Sequence, residues 1–395
     1  MIGVAEARRI LLDHVRPRGV ERIALRLARG RTLREEIVAD RPHPPFHASA
    51  MDGYALRARD TPGVLKLVGE AGAGRALSRP LGPGECARIF TGAALPESAN
   101  AVLIQEEAER SGDSVRAPAV ESGRHVRAAG VDFPAGQLLL APGRILDAPS
   151  VALAAAAGRP SIVVSQAPRV AILGGGDEIV SPGQTPGPEQ IYDSMSFGIA
   201  ALAESWGACA TTSHPMADDA QGVASAMSSA IGEHDLVVVV GGASVGDHDH
   251  ARPALRTLGG DLLFEKVAVR PGKPTWFALL DDKLVLGLPG NPASAFVCAR
   301  LFLRPMLDAF CSRDPAASIR TTPARTKHSL PANGPRETYL RSHTDVDPAG
   351  QSWTAAAPNQ DSSLLSVFAD ANALIVREPH APAAPEGALV RTLPF

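Results

Sequence analysis

The chain has 395 residues, and at roughly 100–200 residues per domain that length predicts two to four domains. Charged residues make up 21% and apolar ones 45%, a folded balance, and a net charge of −3 excludes the broad field that binding to nucleic acid or an anionic membrane needs. Cys86, Cys209, Cys298 and Cys311 lie far apart with no Cys-x-x-Cys pair, so the sequence supports neither a disulfide framework nor a cysteine zinc site and predicts free thiols in a reducing compartment. Glu6 and Asp13 interrupt the N-terminal segment, and no apolar run approaches the ~20 residues of a membrane span, so a cytoplasmic protein is expected.

Val4, Ala7, Ile10, Leu11 and His14 stand at helical spacing, and Ile23, Leu25, Leu27 and Leu33 continue as a short extended piece. Prolines between Asp40 and Pro45 disfavour helix and mark entry into a new module. From about Met51 to Gly143, short apolar stretches separated by Gly and Pro turns predict a small β-rich domain without a helix of any length. After Pro168 the pattern becomes strand and helix in alternation. Strands are expected at Arg169–Leu173, Cys209–Ser213, Asp235–Val240, Phe264–Val269, Thr275–Leu279 and Leu284–Leu288, with helices at Ser194–Trp206, Ala217–Ile231 and Pro292–Phe310. Such alternation implies βαβ units and a parallel sheet, hence a three-layer α/β domain. From about Thr321 short stretches return, predicting a last small β domain.

Ligands of open α/β sheets sit beyond the carboxyl ends of the strands, where helix N-termini favour anions. Here those ends carry Gly174-Gly-Gly-Asp-Glu178, the pair Asp218-Asp219, and Gly241-Gly-Ala-Ser-Val-Gly-Asp-His-Asp249. A glycine run is a weak signal by itself, and an aspartate before a helix is most often a cap. The third segment is more specific: its glycines admit a close ligand, Ser244 can donate to a phosphate, and Asp247 and Asp249 beside phosphate make sense with Mg²⁺ between them. Lys266, Arg270 and Lys273 place three cations within eight residues of a slightly acidic chain, and Pro271 and Pro274 stiffen the turn, which fits an oxyanion site better than a solvated face. Gly287-Leu-Pro-Gly-Asn-Pro-Ala-Ser294 opens the last helix with Pro292 in its first turn. His43, His47, His248 and His250 lack the spacing of a zinc helix, and His47 is read as a packing residue.

In this order the segments resemble the molybdopterin molybdenumtransferases, the MoeA-type proteins related to the gephyrin E domain. The matching residues are Ser49-Ala-Met-Asp-Gly-Tyr-Ala55, Ile89-Phe-Thr-Gly-Ala93, Gly176-Asp-Glu178, Ile191-Tyr-Asp-Ser194, Gly241–Gly246, Pro271-Gly-Lys-Pro274 and Leu288-Pro-Gly-Asn-Pro-Ala-Ser-Ala295, spanning nearly the whole chain. The resemblance implies a multidomain α/β plus β protein: a scaffold of residues 1–40 and 144–167, with its first helix against the α/β domain, an inserted β-rich domain at 41–143, a three-layer α/β molybdopterin-binding domain at 168–315 and a C-terminal β-barrel at 316–395. It also implies a homodimer and a reaction in which molybdate and adenylylated molybdopterin give molybdenum cofactor and AMP with Mg²⁺. A molybdopterin adenylyltransferase would supply the substrate.

By the same resemblance, Asp52, Thr91 and Asp132 serve from the β-rich domain, and Glu178, Asp218 and Asp249 are the acids of the α/β domain. Asp249 and Glu178 would hold Mg²⁺ or order water about the phosphoanhydride, and Asp218 the pterin or a phosphate. Lys273, Ser294, Arg341 and Ser362 would form the molybdate pocket, a dianion needing cations and N–H or O–H donors. Lys266 joins the catalytic set, while Gly175, Gly176, Asp193, Ser194, Gly241, Gly242, Ser244, Gly246, Arg270, Pro289, Asn291 and Pro292 are carried over as substrate-binding. The chain departs from the family pattern at Arg270 in place of lysine, Met195 in place of asparagine, His250 in place of an aromatic residue, and Gln360-Asp-Ser-Ser363 in place of a glycine-bearing loop. The alternative to the transferase is a divergent paralogue that binds molybdopterin or a partner protein without turnover. An unrelated α/β enzyme for nucleotides or sugar phosphates would explain the glycine loops but not the two β modules.

Overall fold

Strands that are apolar at every position can be covered on both faces only by helices, and this decides the architecture of the larger part of the chain. The computed structural model describes residues 1–213, 216, 219–241 and 250–395. The chain divides into two units: Met1–Glu21, Gly30–Thr32 and Val164–Phe395 form one, and Arg22–Arg29 with Leu33–Val163 form the other.

In the larger unit six strands stand in the order Cys209–Thr212, Arg169–Gly174, Leu236–Val240, Lys283–Leu288, Trp276–Leu280 and Asp261–Phe264. Successive residues point to opposite faces: Val170, Ile172, Val238, Val240 and Leu286 enter one core cluster, and Ala171, Leu173, Val237, Val239 and Val285 enter the other. The helices Val4–His14 and Met195–Ser205 cover the first face, Ala220–Glu233 and Ala251–Thr257 the second, so the three layers expected from the alternation are present.

Three expectations need correction. The sheet is not wholly parallel. Its first four strands are, but Trp276–Leu280 runs antiparallel to both of its neighbours, so Asp261–Phe264 beyond it points the same way as the first four. The cause is a tight hairpin in which Asp281 and Asp282 both take left-handed backbone (φ 48° and 61°), a geometry that aspartate tolerates and that matches the sheet twist. Phe264–Val269 is likewise not one strand: pairing with Trp276–Leu280 ends at Phe264, and Val269–Arg270 pairs instead with Glu337–Thr338. Between them the backbone is satisfied elsewhere, with Ile2 N donating to Lys266 O at 3.1 Å and Val267 N to Lys273 O at 3.0 Å. The closing helix has the expected length but passes through a π turn at Ala299–Leu303 before Arg304–Phe310. Pro305 lacks an N–H, and a widened turn upstream absorbs the missing bond.

The end of the chain forms a closed five-strand barrel of Thr322–Thr326, Glu337–Val346, Ser352–Ala356, Ala373–Arg377 and Leu389–Pro394. Phe296 of the closing helix stacks on Phe368 at 5.1 Å and meets Phe395 edge-on at 6.1 Å, so the barrel shares its core with the α/β layers. In the smaller unit six strands run in the order Ala101–Ile104, Gly53–Leu56, Glu85–Ile89, Gly63–Ala71, Ser114–Ala117 and Glu109–Ser111, with the helix Ala148–Ala156 capped by Asp147. Leu25–Leu27 is a 3₁₀ turn rather than extended chain. Among the described residues no helix is long and apolar enough to cross a membrane.

All four cysteines are free, and Cys209 alone is exposed. Burial pushes the thiols of Cys86 and Cys298 up to about 12 and raises that of Cys311. An aromatic disulfide reagent is therefore expected to titrate one thiol per chain in the native protein and four after unfolding. Rapid reaction of a second thiol would contradict this burial.

Candidate functional site

Strand register builds the site. Gly174 pairs with Val240, and Val240 with Leu288, so three parallel strands end level with one another. The glycine segment, Gly241 and the Pro289–Pro292 turn therefore open side by side at the carboxyl end of the sheet. There they line a cavity of about 1340 Å³. Its walls also carry Glu178, Asp193, Ser194, Met195, Lys266 and Lys273, so the structure brings together most of the α/β residues singled out from the sequence.

Each glycine of the run is required by a close approach. A side chain on Gly174 would overlap Ser196 Oγ, one on Gly175 would meet the Met216 backbone at 2.6 Å, and one on Gly176, at φ 143°, would overlap the Glu178 carboxylate. Ile179–Val180 then pairs with Ile191–Tyr192, which holds Glu178 and Asp193 at the two ends of a small ladder. Asp193, 7% exposed, accepts Ser196 N–H through Oδ1 at 3.0 Å and so fixes the start of the helix Met195–Ser205. Met195, where the family pattern has an amide, packs into the core cluster as well as lining the cavity.

The basic turn is rigid for reasons of packing. Gly272 has φ 118°, a side chain there would overlap Cys298 Sγ, and the Thr275 hydroxyl donates to Gly272 O at 2.8 Å. Lys266 and Lys273 face the cavity from this turn, whereas Arg270 is exposed and paired in the ladder with Thr338. On the barrel side, Asn291 Nδ2 donates to Ser362 Oγ at 3.2 Å and Ala293 N to Ser362 O at 3.0 Å. Ser363 lines the cavity beside them. Arg341 is 1% exposed, and its guanidinium donates to Asp361 O at 2.9 Å and Leu364 O at 3.3 Å, which makes it an anchor for this loop. Burial lowers its pKa, opposed by the Asp361 charge. The Asp361 carboxylate accepts from Ser363 N at 2.9 Å and Ser363 Oγ at 2.8 Å, bonds that hold it below the usual carboxylate range. Ser294 is buried in the first turn of the closing helix.

Asp218, Gly242, Ser244, Gly246 and Asp249 lie outside the described residues; Asp219 caps its helix by accepting Gly222 N–H at 2.7 Å. Among the described residues no group of three or more His, Cys, Asp and Glu side chains is placed to hold a metal ion.

In the smaller unit, Asp52 Oδ1 accepts both the N–H and the hydroxyl of Thr91 at 2.8 Å. These bonds, with a lesser contribution from Arg88, hold its carboxyl below the ordinary value. Arg88 was not evident from the sequence; it lies 5.3 Å over Tyr54 and 5.0 Å over Phe90 and donates to Gly53 O, joining the Met-Asp-Gly-Tyr and Ile-Phe-Thr-Gly segments. Asp132 is exposed in a turn whose N–H donates to His43 O at 3.1 Å. His47 is exposed rather than packed, and its Nδ1 accepts from Ala129 N at 3.3 Å. Because the Asp52 pKa is depressed, its pairing with Thr91 contributes stability above the ordinary carboxylate pKa and loses it as pH falls through the lower folded value. Thr91→Val is expected to move the Asp52 pKa upward in a carbon-detected NMR titration, and an unchanged value would remove the hydroxyl as a cause.

Ser196 is a second residue that the motifs do not mark, although a serine among the apolar positions Met195, Ile199 and Ala203 of one helix face was a usable signal. It is fully buried, and its Oγ has no hydrogen-bond partner among the described residues.

Three family models match the chain: the MoeA N-terminal region (domain I and II) at residues 2–158, a probable molybdopterin binding domain at 171–309, and the MoeA C-terminal region (domain IV) at 323–395. A molybdopterin molybdenumtransferase from Nostoc sp. is 33% identical over 367 residues, covering 90% of this chain and 84% of that protein. One from Bacillus subtilis is 32% identical over 387 residues, covering 95% and 90%. The crystal structure of a molybdopterin biosynthesis MoeA protein from Pyrococcus horikoshii superposes with a TM-score of 0.82 at 29% identity, covering 100% of this chain and 99% of that one.

Proposed function

We propose that this chain, which belongs to the molybdopterin molybdenumtransferase family, inserts molybdenum from molybdate into adenylylated molybdopterin, with Mg²⁺-dependent cleavage of the phosphoanhydride and release of AMP. A transferase of molybdenum cofactor biosynthesis follows from the family. The finer reading is supported above all by one cavity at the carboxyl end of the sheet that holds Lys266 and Lys273 together with Glu178 and Asp193. Cations and carboxylates in one chamber suit a ligand with an anionic end and a hydrogen-bond-donating end.

Lys266 and Lys273 would neutralise phosphate and molybdate oxygens. Phosphoryl-type chemistry asks the protein mainly for positioning and charge neutralisation, both of which a rigid basic turn supplies. Mg²⁺ is commonly bound through one or two carboxylates plus substrate phosphates, and Glu178 presents such a carboxylate in the cavity. Glu178 would hold the ion, with Asp249 its second ligand in the proposal; when bound, the ion would offset charge on the anhydride. Lys273, Ser294, Arg341 and Ser362 are proposed to bound the molybdate pocket, with Arg341 acting through the loop it anchors. The proposal includes a homodimer in the cytoplasm, fed by a molybdopterin adenylyltransferase.

The test is AMP release from the protein loaded with adenylylated molybdopterin, with and without molybdate and Mg²⁺. Molybdate-dependent release is the expected result. Tight pterin binding with no AMP would replace the transferase by a non-catalytic binding protein.

A further inference from the structure

Two buried polar side chains in the cavity wall, Asp193 and Ser196, each keep an atom without a hydrogen-bond partner among the described residues. Asp193 is 7% exposed and Ser196 fully buried, and both line the cavity. Asp193 Oδ1 is occupied by the Ser196 N–H at 3.0 Å, which orients the carboxylate, while Oδ2 has no partner among the described residues. The Ser196 hydroxyl likewise has no partner among them. Natural proteins rarely leave such groups unsatisfied unless a ligand completes them. Gly174 gives the hydroxyl its place: a Cβ there would overlap Ser196 Oγ, so only a residue without a side chain lets this oxygen lie at the strand end in the cavity wall.

We propose that Asp193 Oδ2 and the Ser196 hydroxyl recognise the aminopyrimidinone edge of the substrate's pterin. This assignment rests on the molybdopterin reading above and deepens it. A carboxylate oxygen repels phosphate or molybdate and attracts N–H donors, so this wall suits the end of the ligand that carries an exocyclic amino group. That amino group donates to Oδ2, and the hydroxyl, able to donate and accept, satisfies the neighbouring ring position. Ile191 and Tyr192, exposed by 61% and 48%, line the same cavity and offer apolar surface to a flat ring. Lys266 and Lys273 are left for the anionic end.

The test compares 6-hydroxymethylpterin with 6-hydroxymethyllumazine, which carries oxygen where the pterin has its amino group, by fluorescence titration of the full chain. Wild type is expected to prefer the pterin by about tenfold or more, the range for a hydrogen bond to a charged group. Asp193→Asn keeps a good cap for the helix but places an amide where the carboxylate stood, and its preference is expected to fall to near unity. Ser196→Ala is expected to weaken pterin binding several-fold without lowering the melting temperature, a combination that a structural hydroxyl would not give. An unchanged preference in a folded Asp193→Asn variant, or no preference or no binding in wild type, overturns the assignment. Molybdate-dependent AMP release by wild type separates the two readings: if it persists, only the pterin-edge assignment falls, and if it is absent the transferase reading falls too.

Discussion

Lys273→Ala is expected to lower kcat/KM for molybdate-dependent AMP release by about 10²–10³-fold, the loss seen when one preorganised donor is removed from a site of developing charge. The size follows from how the lysine is held. Its carbonyl accepts Val267 N–H at 3.0 Å, the preceding Gly272 is packed against Cys298, and Thr275 ties the turn with a 2.8 Å bond. A charge presented from a fixed backbone into a cavity needs little reorganisation when it meets an oxyanion. Lys273→Arg is expected to recover part of the loss, because it keeps the charge but replaces a point donor with a planar fork. Lys66→Ala, at an exposed position in the smaller unit, should leave turnover unchanged. A loss of less than threefold for Lys273→Ala would remove this residue from the proposed machinery.

Gly53→Ala is expected to cost about 3 kcal/mol or more in the stability of the smaller unit, near the upper range for overpacking by one methyl group. Gly53 sits between two strands, in register with Ile89 on one side and Ile104 on the other. A Cβ there would overlap the Leu103 carbonyl oxygen and stand 2.8 Å from its carbon. Neither atom can rotate away as a side chain would, so relief requires parting Gly53–Leu56, which follows Asp52, from Ala101–Ile104. Gly72→Ala is the matched control: its Cβ meets nothing within 4 Å and its backbone is not left-handed, so a change within ~0.5 kcal/mol is expected. Urea unfolding of both variants, with the Asp52 carboxyl resonance followed in parallel, measures the two effects. Equal midpoints for Gly53→Ala and wild type would mean that the strand pairing yields more easily than its backbone contacts imply.

Strand and helix positions in the α/β domain were legible in the residue order because runs such as Leu236–Val240 are apolar at every position, and helices such as Ala220–Glu233 carry a clear buried stripe. The glycine and proline punctuation located the strand ends, and the family resemblance assigned them to one chemistry. The reversal of Trp276–Leu280 was not legible, because it depends on Asp281 and Asp282 both turning left-handed, which residue identity permits but does not demand. Nor was the use of Arg341: its charge suggested an anion ligand, while its burial commits it to the carbonyls of the loop at Asp361 and Leu364. Asp193 was visible as part of a motif, but the free oxygen beside an unpaired Ser196 hydroxyl emerges only once a helix start is folded over Gly174. By itself the sequence determined the layers, the family and which segments carry chemistry, since periodicity and motif order are local properties of the chain. Only the tertiary structure decided which atoms of those segments remain unpaired and face a common cavity, because hydrogen-bond saturation and strand register are set by residues far apart in sequence.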